Sequence, residues 1–389
     1  MKILFVTELY NDCVKIFDSM YFNGEYSYTQ LKNIMDNSFF SYFSNGYVLA
    51  LRRLDIEADY VVYNSKVLQN AWKKENIKDY SGISNEDVLL SQINQYGAAV
   101  IFWEIVDADL LDYIKANNNT TRLFIGWTGS AVARSKQWRN LDVVLSCAQE
   151  SVNYLIQEGG KAEQIHHAFP NEVLSKLSKS SQSDCVSFIG SIVRGKDFHL
   201  YRENMLLALS QTATVSIYSP SYFIGVIDIL KCLVKRIAYK LLNTSKIGTS
   251  YLAGKMCPEL PVNIRLKKYL SAPVFGLDMF NVLYNSDIVL NIHADSSPLY
   301  ASNMRLFETT GVGSCLLTDQ KNNINDLFVV DKEIVVYESM EDCVEKIQWL
   351  LSHKNVAKEI AKAGQQRCLK DHTYDNRVSV FLQIIEKYL

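Results

Sequence analysis

The sequence lacks the motifs that mark cofactor-dependent oxidoreductases. A dinucleotide-binding turn needs closely spaced glycines after the first strand, because the backbone must approach a pyrophosphate. Here that turn reads TELYNDC, without a glycine, and the corresponding turn of the second half reads GSIVRGK. A P-loop, an HExxH motif and a GxSxG nucleophile elbow are also missing. The chain is therefore not expected to be a nicotinamide or flavin oxidoreductase.

Paired cysteines and a strong net charge are also missing. The eight cysteines form no CxxC pair and no Cys/His spacing suited to zinc, and Cys147 and Cys315 lie inside apolar runs. We expect buried free thiols in a reducing cytosol. The formal charge of −2 gives no global attraction to nucleic acid, so anion binding must come from a local cluster. With 389 residues, 48% of them hydrophobic, the chain is expected to form two globular domains.

Signals for export and membrane insertion are weak. The N-terminus, MKILFVTELY, has no long apolar region and no small-residue cleavage site, which predicts a cytoplasmic protein. A basic amphipathic segment, YFIGVIDILKCLVKRIAYKLLN (222–243), has two readings. It is either a peripheral contact with the inner face of the cell membrane or an ordinary surface helix with solvated lysines. Its apolar face would carry Ile227, Leu230, Val234, Ile237 and Leu241, and its cations are Lys231, Lys235, Arg236 and Lys240.

Apolar runs alternate with amphipathic stretches in both halves of the chain. Runs such as ILFVTE, AAVIFWE, RLFIGWTG, SDIVLNIH and SCLLTD predict buried strands, and the stretches between them predict helices. This alternation indicates parallel sheets covered by helices on both faces. The serine-rich end of IHHAFPNEVLSKLSKSSQSD predicts a boundary, with one domain at 1–173 and a second at 184–370.

Two segments of the second half carry anion-binding character. The strand FIGS ends on Gly190 and Ser191, and the loop after it supplies Arg194 and Lys196, which together could cradle phosphates. The second segment is NMRLFETTGVG, in which Ser302 or Asn303 would cap a helix that follows the strand VLNIH.

In this helix, Arg305 and Glu308 stand three residues apart, and their role has two readings. Glu308 could accept hydrogen bonds from a ribose diol at the ligand-binding edge of the sheet. Alternatively, the pair forms a salt bridge that only braces the helix. Asp107 and Asp109 spell DxD, a pattern that holds a metal–diphosphate in some sugar transferases. Because they open a helix, a capping role is preferred.

The second half resembles the CgeB-like branch of the group 1 glycosyltransferases. The resemblance runs from about Phe275 to Arg377 through FGLDMFNVLYNSDIVLNIH, NMRLFETTGVGSCLLTD and HTYDNRV, and FIGS…HLYR extends it upstream. It implies a GT-B fold, in which two Rossmann-like α/β domains with parallel sheets face a central cleft. It also implies that the C-terminal domain holds the nucleotide-sugar donor and that the last helix, 371–389, crosses back to the first domain.

The resemblance implies a role for each motif residue. Glu308 would bind the ribose, and Ser302, Asn303 and Arg305 would lie by the diphosphate or sugar. The nucleobase would be contacted by Phe275, Gly276 and Leu277. The phosphates would be contacted by Gly190, Ser191, Arg194 and Lys196.

One position departs from the family pattern. Many relatives carry a second glutamate eight residues before the ribose-binding one, where this chain has Tyr300. The usual donor-sugar contacts and the retaining mechanism therefore stay open. His293 either contributes instead or is a structural residue at the end of its strand. For an inverting reaction, Glu104 at the end of AAVIFWE is the candidate general base.

The resemblance predicts a glycosyltransferase that needs no metal and no cofactor. It would move a sugar from a nucleotide-sugar donor to a glycan or lipid-linked glycan, in bacterial surface polysaccharide synthesis. Two alternatives stay open: a nucleotide-sugar epimerase of the same fold, and a non-catalytic nucleotide-sugar-binding protein.

Overall fold

A computed structural model describes residues 1–79, 81–129, 136–180, 184–192, 194, 200–212, 215–244, 257–295 and 297–389. In this part of the chain, the first domain is built on a six-stranded parallel sheet of order β2-β1-β3-β4-β5-β6. Its strands are β1 (Lys2–Thr7), β2 (Glu57–Val62), β3 (Val100–Trp103), β4 (Leu123–Thr128), β5 (Val143–Ser146) and β6 (Ala162–Gln164).

Helices cover both faces of this sheet because successive strand residues point to opposite sides. Ile3 and Phe5 contribute to one core, and Leu4 and Val6 contribute to the other. The helices on the first face are α1 (Asn11–Tyr21), α2 (Tyr28–Asn37), α3 (Tyr42–Arg53) and α4 (Lys66–Asn76). Those on the second face are α5 (Asn85–Tyr96), α6 (Ala108–Asn117) and α7 (Gln149–Gln157), and a 3₁₀ turn (Lys136–Asn140) adjoins α6.

The second domain is built on another six-stranded parallel sheet, of order β12-β11-β10-β7-β8-β9. Its strands are β7 (Asp184–Ile189), β8 (Ser216–Tyr218), β9 (Leu270–Ser271), β10 (Ser286–Asn291), β11 (Cys315–Asp319) and β12 (Val335–Tyr337). The helices between them are α8 (Leu200–Thr212), α9 (Val226–Leu242), α10 (Ile264–Lys267), α11 (Gly276–Tyr284), α12 (Arg305–Val312), α13 (Ile324–Leu327), α14 (Met340–Ser352) and α15 (Lys354–Asp371).

The chain crosses between the domains twice, side by side. The outward crossing follows β6 and includes a 3₁₀ helix (Asn171–Lys176), and the return lies at His372 and Thr373. The two crossings pair where the Phe169 amide donates to the His372 carbonyl at 2.8 Å. After the return, helix α16 (Tyr374–Tyr388) packs on α3, and Phe381 is buried against Phe5 and Tyr47 of the first domain.

The strand order of each sheet reverses at one point, which fixes where a ligand is expected. In open α/β sheets the crevice outside the carboxyl ends of the strands, at the point of reversal, is the binding site. The reversal lies between β1 and β3 in the first sheet and between β7 and β10 in the second. The residues that follow these four strands therefore lie where a ligand is expected.

Candidate functional site

Arg202 joins the carboxyl ends of the two strands at the reversal point of the second sheet. It projects from the first turn of α8, where its guanidinium donates to the Ser191 carbonyl at 2.8 Å and to the Ile292 carbonyl at 2.6 Å. Burial lowers the pKa of Arg202 to about 10. No role is predicted for Arg202 from the sequence, although it ends the HLYR block.

The Arg305–Glu308 pair lies at the same edge of the sheet. The Arg305 guanidinium is 2.6 Å from Glu308 Oε2, and it also donates to the Ile189 carbonyl at the end of β7, at 3.3 Å. The bracing salt bridge is therefore present in the structure. It does not exclude ligand binding, because Arg305 also reaches the strand end where a ligand is expected.

Glu308 is buried and is contacted from both domains. Its Oε1 accepts a hydrogen bond from the Tyr42 hydroxyl on α3 of the first domain. The same hydroxyl lies 3.1 Å from Met304 Sδ. Burial raises the pKa of Tyr42 well above its usual value, and the Glu308 charge raises it further. Tyr42 therefore stays a hydrogen-bond donor to Glu308.

The start of the following helix differs from the prediction. We expected Ser302 or Asn303 to cap it, but α12 begins at Arg305, and Met304 stands at the cap position without a side-chain hydrogen bond. The two polar side chains are used elsewhere: Ser302 donates to the Ser297 hydroxyl at 3.1 Å, and Asn303 donates to Asn291 Oδ1 at 2.6 Å. The Asn303 bond ties the loop to the end of β10. Because the helix begins at Arg305, both residues lie outside the cap position, and neither side chain caps the helix.

His293 belongs to a polar cluster at the carboxyl ends of β10 and β11. Its Nδ1 is 2.7 Å from Asp319 Oδ1, and its amide donates to the same oxygen at 3.1 Å. Burial works against ionisation of Asp319, but contact with His293 and with Lys321, 3.2 Å away, lowers the pKa of this carboxyl group. The imidazole is thus oriented by a buried carboxylate.

Three buried polar atoms at this edge have no hydrogen-bond partner among the described residues. They are His293 Nε2, Asn303 Oδ1 and Arg305 Nε. Leaving a buried donor or acceptor unpaired costs about 1–3 kcal/mol, and a ligand that pairs with these atoms would remove this cost. Their grouping at the reversal point of the second sheet marks this place as the candidate site.

The loop after β7 holds the predicted phosphate-binding residues. Gly190 and Ser191 end the strand at the candidate site, where the Ser191 carbonyl is bound by Arg202. The Arg194 side chain forms an ion pair with buried Glu203 at 2.8 Å and donates to the Leu260 carbonyl at 3.1 Å. Arg194 is therefore held by the protein itself in this structure. Lys196 lies outside the described residues.

The segment predicted to contact a nucleobase lies at the junction of the two domains. Phe275 precedes α11, and the Leu277 amide donates to the Ser38 carbonyl of the first domain at 2.7 Å. Gly276 has a φ of +55°, and a Cβ atom there would lie 2.2 Å from the same carbonyl oxygen. Only glycine fits this contact.

Glu104 lies at the reversal point of the first sheet, directly after β3. Its carboxylate accepts hydrogen bonds from the Thr7 hydroxyl, at the end of β1, and from the Ser44 hydroxyl at 3.3 Å. Burial raises the pKa of Glu104 to about 7, although these two hydrogen bonds oppose the shift. A carboxylate with this pKa is suited to accept a proton near neutral pH.

Tyr10 interacts electrostatically with residues of both candidate clusters. Although 71% of its side chain is reachable by water, the surrounding walls desolvate its hydroxyl and raise its pKa to about 12. The charges of Glu308 and Glu104 add to this shift, and that of Arg305 opposes it. Tyr10 thus lies within electrostatic reach of both clusters, and no sequence pattern identifies it.

Two further acidic residues have structural contacts. Glu150, in the first turn of α7, accepts hydrogen bonds from the amides of Leu299 and Tyr300 in the second domain, at 3.0 and 3.1 Å. Tyr300 is thus held through its backbone. Asp107 accepts a hydrogen bond from the Leu110 amide at 3.0 Å, which confirms its predicted capping role on α6.

Sequence and structure comparisons agree with this architecture. Residues 233–383 match a family described as glycosyl transferase-like, which confirms the resemblance to glycosyltransferases. The narrower CgeB-like assignment stays a prediction. No protein of curated function shows significant sequence similarity to the chain.

Solved glycosyltransferase structures share the fold over nearly the full chain. A glycosyltransferase from Rickettsia africae is 11% identical, with a TM-score of 0.57, over 100% of this chain and 98% of its own. Anabaena Alr3699/HepE, solved with UDP-glucose, is 12% identical, with a TM-score of 0.55, over 98% and 99%. An α-glucosyltransferase solved with UDP-glucose and DNA containing an abasic site is 12% identical, with a TM-score of 0.60, over 99% of each chain. The predicted GT-B fold is thereby confirmed.

Proposed function

We propose that the chain transfers a sugar from a nucleotide-sugar donor to a glycan or lipid-linked glycan, as a step in bacterial surface polysaccharide synthesis. The observation that carries the proposal is the grouping of His293 Nε2, Asn303 Oδ1 and Arg305 Nε at the reversal point of the second sheet. A sugar diphosphate offers oxygen atoms and hydroxyl groups that could pair with all three. The glycosyl transferase-like match covers this part of the chain.

The donor would lie with its nucleotide on the second domain. The Glu308 carboxylate would accept hydrogen bonds from the ribose hydroxyls and would exchange its Tyr42 contact for them. Arg305 would face the diphosphate, together with the free amide groups in the first turn of α12. These positive groups would stabilise the negative charge that develops on the leaving nucleoside diphosphate. The proposal assigns no role to a metal ion.

The acceptor would lie against the first domain, near Glu104. As an acceptor hydroxyl attacks the anomeric carbon, Glu104 would take its proton, and the bond between that carbon and the diphosphate oxygen would break. The pKa of about 7 leaves a large share of Glu104 ionised at neutral pH. His293, held by Asp319, would contact the donor sugar through Nε2.

Nucleotide binding tests the donor site. We would measure the affinity for nucleoside diphosphates by calorimetry, beginning with UDP because two of the similar structures hold UDP-glucose. Glu308→Gln should weaken binding at least about tenfold, because hydrogen bonds to a charged group contribute about 1.5–3 kcal/mol. Tyr42→Phe, which removes the other partner of Glu308 Oε1, should not weaken it. If Glu308→Gln binds normally and only melts earlier, Glu308 is a brace and the donor site is misplaced.

Turnover then distinguishes the enzyme classes. With a nucleotide sugar and no acceptor, a transferase should leave the sugar intact or hydrolyse it slowly. Conversion to an epimeric nucleotide sugar would contradict the proposal. So would tight donor binding without transfer to any member of a broad glycan acceptor panel.

A further inference from the structure

Helix α9 carries a broad apolar surface that faces away from the protein. Six of its apolar side chains have between 54% and 72% of their area open to solvent: Val226, Ile227, Leu230, Val234, Ile237 and Leu241. Leu233 and Leu242 are less exposed, at 37% and 41%. The aromatic residues just before the helix, Tyr222 and Phe223, are exposed as well. A group of this size on one helix is unusual for a surface that contacts only water.

The opposite side of α9 holds it to the second domain. Ile229 packs against the core of that domain, and the Cys232 thiol donates to the Glu259 carbonyl at 2.8 Å. At 100° per residue, these two positions lie within 60° of each other and roughly opposite Ile227 and Val234. The helix is therefore attached along one side, with its apolar side pointing outward.

Cations flank this apolar surface. On α9 they are Lys231, Lys235 and Lys240, whereas Arg236 lies on the attached side of the helix, with Ile229 and Cys232. The one acidic residue of the helix, Asp228, accepts a hydrogen bond from the Gly225 amide at its start. The short helix α10 repeats the pattern, with an exposed Ile264 next to Arg265 and Lys267. The net charge of the chain is only −2, so this positive region is local.

We propose that α9 docks the protein on a lipid bilayer that contains anionic headgroups. An interfacial helix buries its apolar side at the boundary between headgroups and acyl chains, while flanking lysines reach the phosphates. A second copy of the chain fits less well, because two α9 helices packed face to face would bring like charges together. The helix is about 25 Å long, and along the described part of the chain no helix is long and apolar enough to cross a membrane.

Docking through α9 would place the candidate site next to the membrane. The helix follows β8 and thus leaves the same edge of the sheet at which the candidate site lies. At its base, the Ser221 hydroxyl donates to the Ile192 carbonyl at 3.0 Å, just after the Gly190–Ser191 turn. This geometry points to a lipid-linked acceptor, an inference that rests on the proposed function.

Vesicle flotation tests the docking. Wild type should bind vesicles of phosphatidylcholine with one-third phosphatidylglycerol and should bind pure phosphatidylcholine far more weakly. Each lysine near an anionic surface contributes about 1 kcal/mol, so Lys231→Gln/Lys235→Gln should lower binding to the anionic vesicles by about thirtyfold. Val234→Glu/Ile237→Glu should abolish it. The matched control Met20→Glu/Ile156→Glu changes two exposed apolar residues elsewhere and should bind like wild type.

Nucleotide affinity separates this proposal from the proposed function. All three double variants should bind nucleoside diphosphates as the wild type does, because none of the substituted residues contacts the candidate site. Absence of vesicle binding by wild type, or equal binding by the Val234→Glu/Ile237→Glu variant, would overturn the docking while leaving the donor site intact. Dimers that dissociate on the same substitutions would assign α9 to self-association instead.

Discussion

At the scale of single residues, partners that come from distant parts of the chain decide the chemistry. The Arg305–Glu308 pair is visible in the sequence because its members are three residues apart. Tyr42, which donates to the same carboxylate, is 266 positions away, and no local pattern connects it to Glu308. The raised pKa of Glu104 could not be predicted either, because it depends on burial of the carboxylate. The residues in contact with that carboxylate, Thr7 and Ser44, come from distant parts of the chain.

Tyr42 is expected to compete with a nucleotide for Glu308. Tyr42→Phe removes the hydroxyl but keeps the ring contact with Phe280, 5.3 Å between centroids. We expect nucleoside diphosphates to bind the variant at least about tenfold more tightly, because a hydrogen bond to a charged group that must be broken contributes about 1.5–3 kcal/mol. Calorimetry measures the change, and a weaker affinity would show that Tyr42 helps to hold the ligand.

Glu104 is expected to set the pH dependence of transfer. Its pKa is raised from 4.5 to about 7, so the proton-accepting form grows as the pH rises, and kcat should increase between pH 6 and 8 and then level off. Glu104→Gln should lower kcat by about 10²-fold or more and remove this rise.

A second variant checks that the titrating group is Glu104. The Thr7 hydrogen bond lowers the pKa of Glu104, so Thr7→Val should move the rise in kcat to higher pH. A profile that does not move, or a Glu104→Gln variant with an intact rise, would assign the proton transfer to another group.

At the scale of helices and strands, length decides what the sequence can predict. Long apolar runs such as Cys315–Asp319 were predicted as strands and are strands. The short strands β6 and β9, of three and two residues, carry too few side chains to show a period. The predicted cap of α12 was wrong, because the helix begins at Arg305 and the Asn303 side chain donates to Asn291 instead. This contact forms only when the loop is folded against β10.

We expect the junction between the two domains to tolerate only glycine at position 276. Gly276→Ala would add both a strained positive φ and a contact with the Ser38 carbonyl. The backbone strain alone costs about 1–3 kcal/mol, and each kcal/mol lowers Tm by about 2–4 °C in domains of this size. The control is Gly82→Ala, with a φ of +83° and no atom within 4 Å of the added Cβ among the described residues. Equal losses of Tm in the two variants would show that the contact is unimportant.

At the scale of the whole molecule, the sequence predicted the two α/β domains but not how they touch. Apolar runs that alternate with amphipathic stretches indicate a parallel sheet with helices on both faces. Contacts across the cleft, such as Tyr42 to Glu308 and Ser38 to Leu277, need the folded domains to be placed together first. Since the candidate site lies between the domains, motifs could name candidate residues on the second domain, but the contacts between the domains could not be predicted.

Glu150 is expected to hold the two domains together at the cleft. Glu150→Ala removes the acceptor for the Leu299 and Tyr300 amides, each of which donates to a charged oxygen. Because such bonds contribute about 1.5–3 kcal/mol, hydrogen exchange of peptides covering these amides should accelerate at least about tenfold. Glu158→Ala, just past the other end of α7, should leave this exchange unchanged. Unchanged exchange in Glu150→Ala would mean that the loop is ordered by the second domain alone.

The paired crossings at Phe169 and Thr373 have a mechanical consequence. Two adjacent interdomain connections are expected to form a hinge, because the domains can rotate about the line through both connections more easily than they can slide or twist. Any opening of the cleft should therefore follow a single path. The same pairing makes the second domain an insertion within the first, since Phe381 of α16 fills the core beside Phe5. A fragment of residues 1–173 would lack Phe381 and would expose the apolar residues that Phe381 covers in the first domain. A fragment of 184–370 would keep all six strands of the second sheet.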